Sequence, residues 1–313
     1  MCCLFGLVDY RHQLKEKDKT RMLSLLATAC EARGTDATGI AYNLSGDLRI
    51  YKRPIPAHRM RFRIPEAARV IMGHTRMTTQ GTERKNFNNH PFPGAAGKIR
   101  FALAHNGVLC NDVQLRRSLE LPRTKIQTDS YIAVQLIEQK RALNLESLRY
   151  MAEQVEGSFT FTVLDQGDRL YVVKGDNPVC LLHFPSLGLY LYASTEEILK
   201  RAIFQMKLGD DTACRIPLDC GEILRIDRTG ELKRSRFDDS HLFARWQSGI
   251  WSLPYGQFAP WEPHRKSSIT RSYLEEVKSV APAFGYAPEE IDRLAGLGFS
   301  PEELEDFLYC GEL

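Results

Sequence analysis

Extended segments arrive in this chain in unbroken runs, and that order limits its fold more than any other feature. From Ser158 the residues alternate as Phe159-Thr160-Phe161-Thr162-Val163-Leu164, turn at Gln166-Gly167-Asp168 and resume as Leu170-Tyr171-Val172-Val173. Two such segments joined by a short polar turn read as an antiparallel hairpin. Further short strands are predicted at 179–184, 188–193 and 222–226. Upstream, strands are predicted at 2–8, 70–74 and 101–104, the last ending at His105. A hairpin of 40–42 and 48–51 turns on Ser45-Gly46-Asp47. A helix over 18–32 presents Met22, Leu25, Leu26 and Cys30 on one face, with Asp18 as its N-cap and Gly34 as its stop. Other helices are predicted at 112–120, 129–141, 145–155 and 195–205. Helices come in pairs and strands in runs, without regular βαβ alternation. The expected class is α+β, with largely antiparallel sheets covered by segregated helices.

The chain has 313 residues, of which 43% are hydrophobic and 26% charged, an ordinary balance for a globular protein with a real core. Its 42 basic and 39 acidic residues are too even to argue for nucleic acid or a membrane surface as partner. No apolar run reaches the roughly 18 residues a membrane span needs, and the N-terminus lacks the basic and apolar stretches of a secretory signal. The eight cysteines contain no Cys-x-x-Cys pair, so free thiols are expected, with neither a disulfide framework nor a zinc site. A cytoplasmic protein is the resulting expectation.

Near residue 236 the texture changes. Residues 236–265 form an aromatic-rich linker carrying Trp246, Trp251, Tyr255, Phe258 and Trp261, and 266–313 a module of short helices. Two of those helices begin alike, Ala287-Pro288-Glu289-Glu290 and Ser300-Pro301-Glu302-Glu303, with Pro at the first helical position and acid in the first turn. Residues 1–235 are left as the domain that carries the chemistry.

Five short segments in that domain bear reactive or charge-reading groups. Cys2 becomes the first residue if the initiator Met is removed; its thiol then lies beside a free α-amine of pKa about 8 that can take the thiol proton. Arg76 lies at the end of a predicted strand in Gly73-His74-Thr75-Arg76-Met77-Thr78-Thr79-Gln80-Gly81, where its planar fork can bind a carboxylate. Asn89-His90-Pro91-Phe92 follows. In His105-Asn106-Gly107, an Asn amide and a Gly N–H can together donate to a developing oxyanion. Asp129 stands at a helix start in Thr128-Asp129-Ser130. Each segment alone also fits a bland role: a buried strand cysteine, a turn, a helix-start acid.

Taken together and in this order, they resemble the class II glutamine amidotransferases. That family opens Cys-Gly-Ile-(Phe/Val)-Gly after Met, where this chain has Cys2-Cys3-Leu4-Phe5-Gly6. Its Arg-Gly-x-Asp-(Ser/Ala)-x-Gly matches Arg33 to Gly39, and its Gly-His-Thr-Arg-Trp-Ala-Thr-x-Gly matches Gly73 to Gly81. Its Asn-x-His-Pro, His-Asn-Gly and Thr-Asp match Asn88 to Pro91, His105 to Gly107, and Thr128-Asp129. The resemblance runs from Cys2 to about residue 205. It implies a four-layer αββα sandwich of the N-terminal-nucleophile hydrolase type. It also implies Cys2 as nucleophile, Asn106 and Gly107 as oxyanion hole, Arg76 on the glutamine α-carboxylate, Asp129 on the α-amine and Thr79 lining the pocket.

Cys3, Met77 and Gln80 depart from the family, which has Gly, Trp and often His at these positions. Nothing after residue 235 resembles a sugar isomerase or phosphoribosyltransferase. The expectation is therefore a glutaminase that feeds ammonia to a separate synthase subunit, with no cofactor and with homo-oligomer formation left open. Two alternatives are a hydrolase of another γ-glutamyl compound and a scaffold protein on a hydrolase fold.

Overall fold

The computed structural model describes residues 2–208, 213–240 and 286–296, together with the single residues 242, 274, 278, 281 and 304. The chain divides into two compact units, Met1–Ser248 and Gly249–Leu313.

The first unit is built on two antiparallel sheets. One has the order β11-β9-β10-β1-β4-β2-β3, from Cys214–Ile216 (β11), Cys180–Phe184 (β9), Leu189–Ala193 (β10), Cys3–Asp9 (β1), Val70–Arg76 (β4), Ala37–Leu44 (β2) and Asp47–Arg53 (β3). The other has the order β13-β12-β8-β7-β6-β5, from Leu232–Arg236 (β13), Glu222–Ile226 (β12), Leu170–Lys174 (β8), Gly157–Asp165 (β7), Ile99–Leu109 (β6) and Phe92–Ala96 (β5).

Side-chain alternation makes four layers of this. Every residue of β1 is buried. Cys3, Phe5 and Leu7 pack outward with residues of the helices Glu16–Ala29 (α1) and Glu196–Met206 (α5). Leu4 and Val8 pack inward with Ala102, Ala104, Leu164 and Val172 of the facing sheet. That sheet's outer side, including Leu103, Phe161 and Val163, is covered by Asp112–Ser118 (α2), Tyr131–Gln139 (α3) and Leu145–Gln154 (α4). Apolar residues on both faces of a strand are what a two-sided burial demands. The architecture is the four-layer αββα sandwich that the resemblance implies.

Several local expectations need correcting. The first helix starts at Glu16 with Lys15 as its N-cap, so Asp18 lies inside its first turn, and it tightens after Ala29 into a 3₁₀ turn, Cys30–Arg33. The strand predicted over 101–104 runs to Leu109, because β7 pairs with it along its whole length; His105-Asn106-Gly107 therefore lies within β6. Strands β5, β11 and β13 were not predicted. All three are edge strands: β5 carries a proline, β13 is largely exposed, and β11 is three residues long. In the second unit, Pro288–Gly296 forms a helix (α6), and Ala281, Ile291 and Leu304 form a small buried cluster. The aromatic strip from Trp246 to Trp261 and the helix expected from Pro301 lie outside the described residues, Leu304 excepted.

Candidate active site

Cys2 immediately precedes β1, and the β1–β4 register pairs Cys3 with Thr75. The nucleophile candidate is thereby carried to the end of β4, beside Arg76. Its thiol donates to the Met77 carbonyl at 3.4 Å, and its own carbonyl accepts from Arg33 Nε at 3.1 Å. Arg33 comes from the 3₁₀ turn, so the segment from Arg33 to Gly39 positions the chain's start. Asp36 continues the same work: its N–H donates to the Arg76 carbonyl at 2.9 Å, and its carboxylate accepts from the Thr78 N–H at 2.7 Å. Burial pushes the Cys2 thiol above its ordinary pKa, against the charge of nearby Arg76. Such a thiol needs a base close at hand to become a nucleophile.

Arg76 is 3% exposed and its guanidinium is only partly held. Nη1 donates to Asn89 Oδ1 at 2.7 Å, and Nη2 to the carbonyls of Gln80 at 2.6 Å and Gly81 at 2.9 Å. A guanidinium carries five N–H groups, so the Nε–H and one Nη1–H are left over. These two charged donors remain for an anionic ligand. Asp129 is 5% exposed at the start of α3; its Oδ2 accepts from the Leu109 N–H at 2.6 Å and its Oδ1 from Ser130 Oγ at 3.3 Å. Gln80 ties the two charged residues together, for its side-chain oxygen accepts from the Asp129 N–H at 2.7 Å. Thr79 lies exposed on the turn between them.

The two sheets are joined beside these groups by His74 Nε2, which donates to the His105 carbonyl at 3.0 Å. That bond brings the end of β4 to the middle of β6, where Asn106 and Gly107 follow. Asn106 Nδ2 lies 3.5 Å from Ser194 Oγ, and the same hydroxyl accepts from the Leu4 N–H at 2.8 Å. Ser194, at the end of β10, thus links the strand behind the nucleophile to the oxyanion candidate. Gly107 has φ +142°, and a Cβ there would lie 1.9 Å from the Ser158 carbonyl oxygen. Only glycine allows β6 and β7 to approach so closely.

Around this centre lie three fully desolvated imidazoles. His74 and His90 have ring centroids 4.2 Å apart, and His90 lies 4.4 Å from Phe92. His105 Nδ1 is 2.8 Å from Ser130 Oγ. Burial lowers all three, His74 to about 3, so each is neutral.

The structure brings Cys2, Arg76 and Asp129 into one electrostatic neighbourhood and links Asn106 to it through Ser194 and the His74–His105 bond. Sequence reading passed over Ser194 and Lys52, and it gave Asn89 no role of its own. Ser194 sits in an unremarked strand-to-helix junction, and Asn89 is the variable position of Asn-x-His-Pro. Lys52 looks like any exposed strand lysine. Among the described residues no helix is long and apolar enough to cross a membrane.

The sequence model of the glutamine amidotransferase domain matches residues 74–200. The chain is 29% identical over 207 residues to the 7-cyano-7-deazaguanine synthase of Saccharolobus solfataricus, covering 63% of this chain and 43% of that one. It is 31% identical over 191 residues to the glutamine–fructose-6-phosphate aminotransferase (isomerizing) of Lactococcus lactis, covering 58% and 30%. The fold matches that of the B. subtilis glutamine phosphoribosylpyrophosphate amidotransferase with a TM-score of 0.59 at 21% identity, over 76% of this chain and 49% of that one. This chain therefore spans less than half the length of these curated relatives. Residues 74–200 match a glutamine amidotransferase domain, and the motifs, relatives and fold are consistent with class II of that family.

Proposed function

We propose that this domain hydrolyses the side-chain amide of glutamine through a thioester on Cys2 and passes the ammonia to a separate synthase. The observation that carries the reading is the half-held Arg76 fork beside Cys2, linked through Gln80 to the Asp129 carboxylate. A cation with two free N–H groups and a carboxylate, bridged by one side chain, match the two charged ends of an α-amino acid. In the mature protein Met1 is absent and the α-amine of Cys2 takes the thiol proton. The thiolate attacks the glutamine γ-carbonyl, and the oxyanion is held by Asn106 Nδ2 and the Gly107 N–H. Collapse breaks the C–N bond, the α-ammonium returns its proton to the leaving group, and ammonia departs. Water, deprotonated by the same amine, then attacks the thioester carbonyl, releasing glutamate and restoring the thiol. Thr79 lines the substrate side of the 77–81 turn.

An ammonia-accepting synthase is supported by the relatives, whose names describe synthases and transferases. A second reading, hydrolysis of another γ-glutamyl compound, is favoured by Met77, 51% exposed beside Arg76 where the family has Trp. A flexible thioether there leaves room for a larger leaving group. Ammonia and glutamate release from glutamine, compared with turnover of γ-glutamyl dipeptides, separates the two. The primary reading expects a higher kcat/KM for glutamine and no turnover by Cys2→Ala. Equal activity of Cys2→Ala, or a preference for the dipeptides, overturns it.

A further inference from the structure

We propose that Lys52 is a positioning residue for substrate recognition, the second cation of the α-carboxylate site, which acts by fixing Asn89 against the Arg76 fork. The inference rests on the reading of Arg76 as the carboxylate binder.

Lys52 lies on β3, the edge strand of its sheet, directly opposite Gly39 of β2. A Cβ on Gly39 would lie 2.0 Å from the His90 carbonyl oxygen, 2.8 Å from Lys52 Cβ and 2.9 Å from Pro91 Cδ. The absent side chain is what lets the His90-Pro91 backbone settle onto the hairpin beside Lys52. There the ammonium donates to the carbonyls of Asn89 and of Pro91, the latter at 3.0 Å, and lies 5.1 Å from the Phe92 ring centroid. The Lys52 carbonyl in turn accepts from Asn86 Nδ2 at 2.8 Å. One residue thus grips both ends of the 86–91 loop. Asn89 is fully buried and hands its side-chain oxygen to Arg76 Nη1 at 2.7 Å. Lys52 to Asn89 to Arg76 is a continuous chain of contacts, and it ends on the substrate-reading fork.

The charges point the same way. Neither Lys52 nor Arg76 makes an ion pair with a carboxylate among the described residues, although Arg76 is buried and Lys52 partly buried. Burial, and the neighbouring charge of Arg76, draw the Lys52 pKa down to about 8. Two adjacent cations with no carboxylate in ion-pair contact are costly to hold together, and an incoming carboxylate relieves that cost. A lysine serving only the fold would be expected to find an acidic partner or solvent. This one is spent on two carbonyls next to another cation.

The test uses the full chain with Cys2→Ala, and calorimetric titration with L-glutamate and L-glutamine, so that binding is read apart from turnover. Lys52→Met is expected to weaken both ligands about tenfold, the size of one hydrogen bond to a charged group. Lys52→Arg is expected to recover most of that loss. Lys52→Met with Arg76→Ala should bind no more weakly than Arg76→Ala alone, because Lys52 acts through Arg76. With native Cys2, Lys52→Met should raise KM for glutamine and leave KM for 4-aminobutanamide, which lacks the α-carboxylate, unchanged. Should Lys52→Met not fold, Asn89→Ala carries the test and is expected to give the same loss. Unchanged affinity in these variants, effects that add to Arg76→Ala, or an equal change for 4-aminobutanamide would each overturn the proposal. A wild-type protein that binds glutamate yet releases no ammonia overturns the proposed function alone. One that binds neither ligand overturns both.

Discussion

Acidification should unfold this protein in a way that one side chain controls in large part. His74 lies fully buried, its Nε2–H is committed to the His105 carbonyl, and its Nδ1 has no partner among the described residues. Burial, with Arg76, His105 and Lys52 nearby, lowers its pKa to about 3. In the unfolded chain the value is about 6.5. A base depressed in the folded state is protonated first in the unfolded state. Its contribution is therefore complete above the unfolded pKa and is lost as pH falls below it. At pH 5 the unfolded state gains about 1.5 pH units of protonation free energy from His74, about 2 kcal/mol relative to pH 8. For a unit of this size that corresponds to a Tm about 4 to 8 °C lower from this residue alone. His90 and His105 are lowered by burial as well and act in the same direction. Differential scanning calorimetry of wild type and His74→Gln at pH 8 and pH 5 isolates the term, because Gln keeps a donor for His105 and cannot charge. Carboxylates such as Glu138, raised by partial burial, have the opposite slope but cancel in the comparison. The pH-induced loss should be smaller in His74→Gln by about 2 kcal/mol. Parallel stability curves for the two proteins would refute the assignment.

Kinetics should divide the site. Arg76→Ala should chiefly weaken kcat/KM, by about ten- to a hundredfold or more, as the loss of a buried charge-assisted contact does. Asn106→Ala should depress kcat by about a hundredfold or more, the size expected for one oxyanion donor. The reverse pattern in steady-state assays would mean that the two roles are exchanged. Gly107→Ala should abolish turnover and lower stability by at least about 1–3 kcal/mol in chemical denaturation, because its Cβ has to displace β7. Removing the second unit, Gly249–Leu313, should leave glutamine hydrolysis intact, because every candidate site residue lies in the first unit. If that unit docks the synthase, pull-down of the synthase should be lost with it; loss of the first unit's fold, seen by circular dichroism, would show that its role is structural.

The sandwich was legible because burial on two faces writes itself into a strand. Leu170 to Val173 and Cys3 to Val8 are apolar at nearly every position, and their neighbours could be ordered by turn residues alone. Edge strands carry no such signature: β5 contains Pro93 and Gly94, and β13 is mostly charged. The residues expected to touch substrate were legible for a different reason, since Arg76, Asp129, Asn106 and Gly107 stand in motifs of fixed type and order. The groups that aim them were not. Ser194, Asn89, Gln80 and Lys52 act through backbone atoms and through bonds that depend on register. Ser194 reaches Leu4 across 190 positions, and Lys52 reaches Asn89 across 37. A linear reading shows residue types and spacing, but it does not show which carbonyl an ammonium will meet.

The central claim is covalent chemistry at an N-terminal cysteine, and trapping that intermediate tests it most directly. Purified protein mixed with glutamine and acid-quenched on the millisecond scale, then digested and analysed by mass spectrometry, should yield an N-terminal peptide that begins at Cys2. A fraction of it should carry one γ-glutamyl group in thioester linkage, absent without glutamine and absent in Cys2→Ala. Fully active protein that retains Met1, or a glutamyl adduct on any residue other than Cys2, would contradict the account.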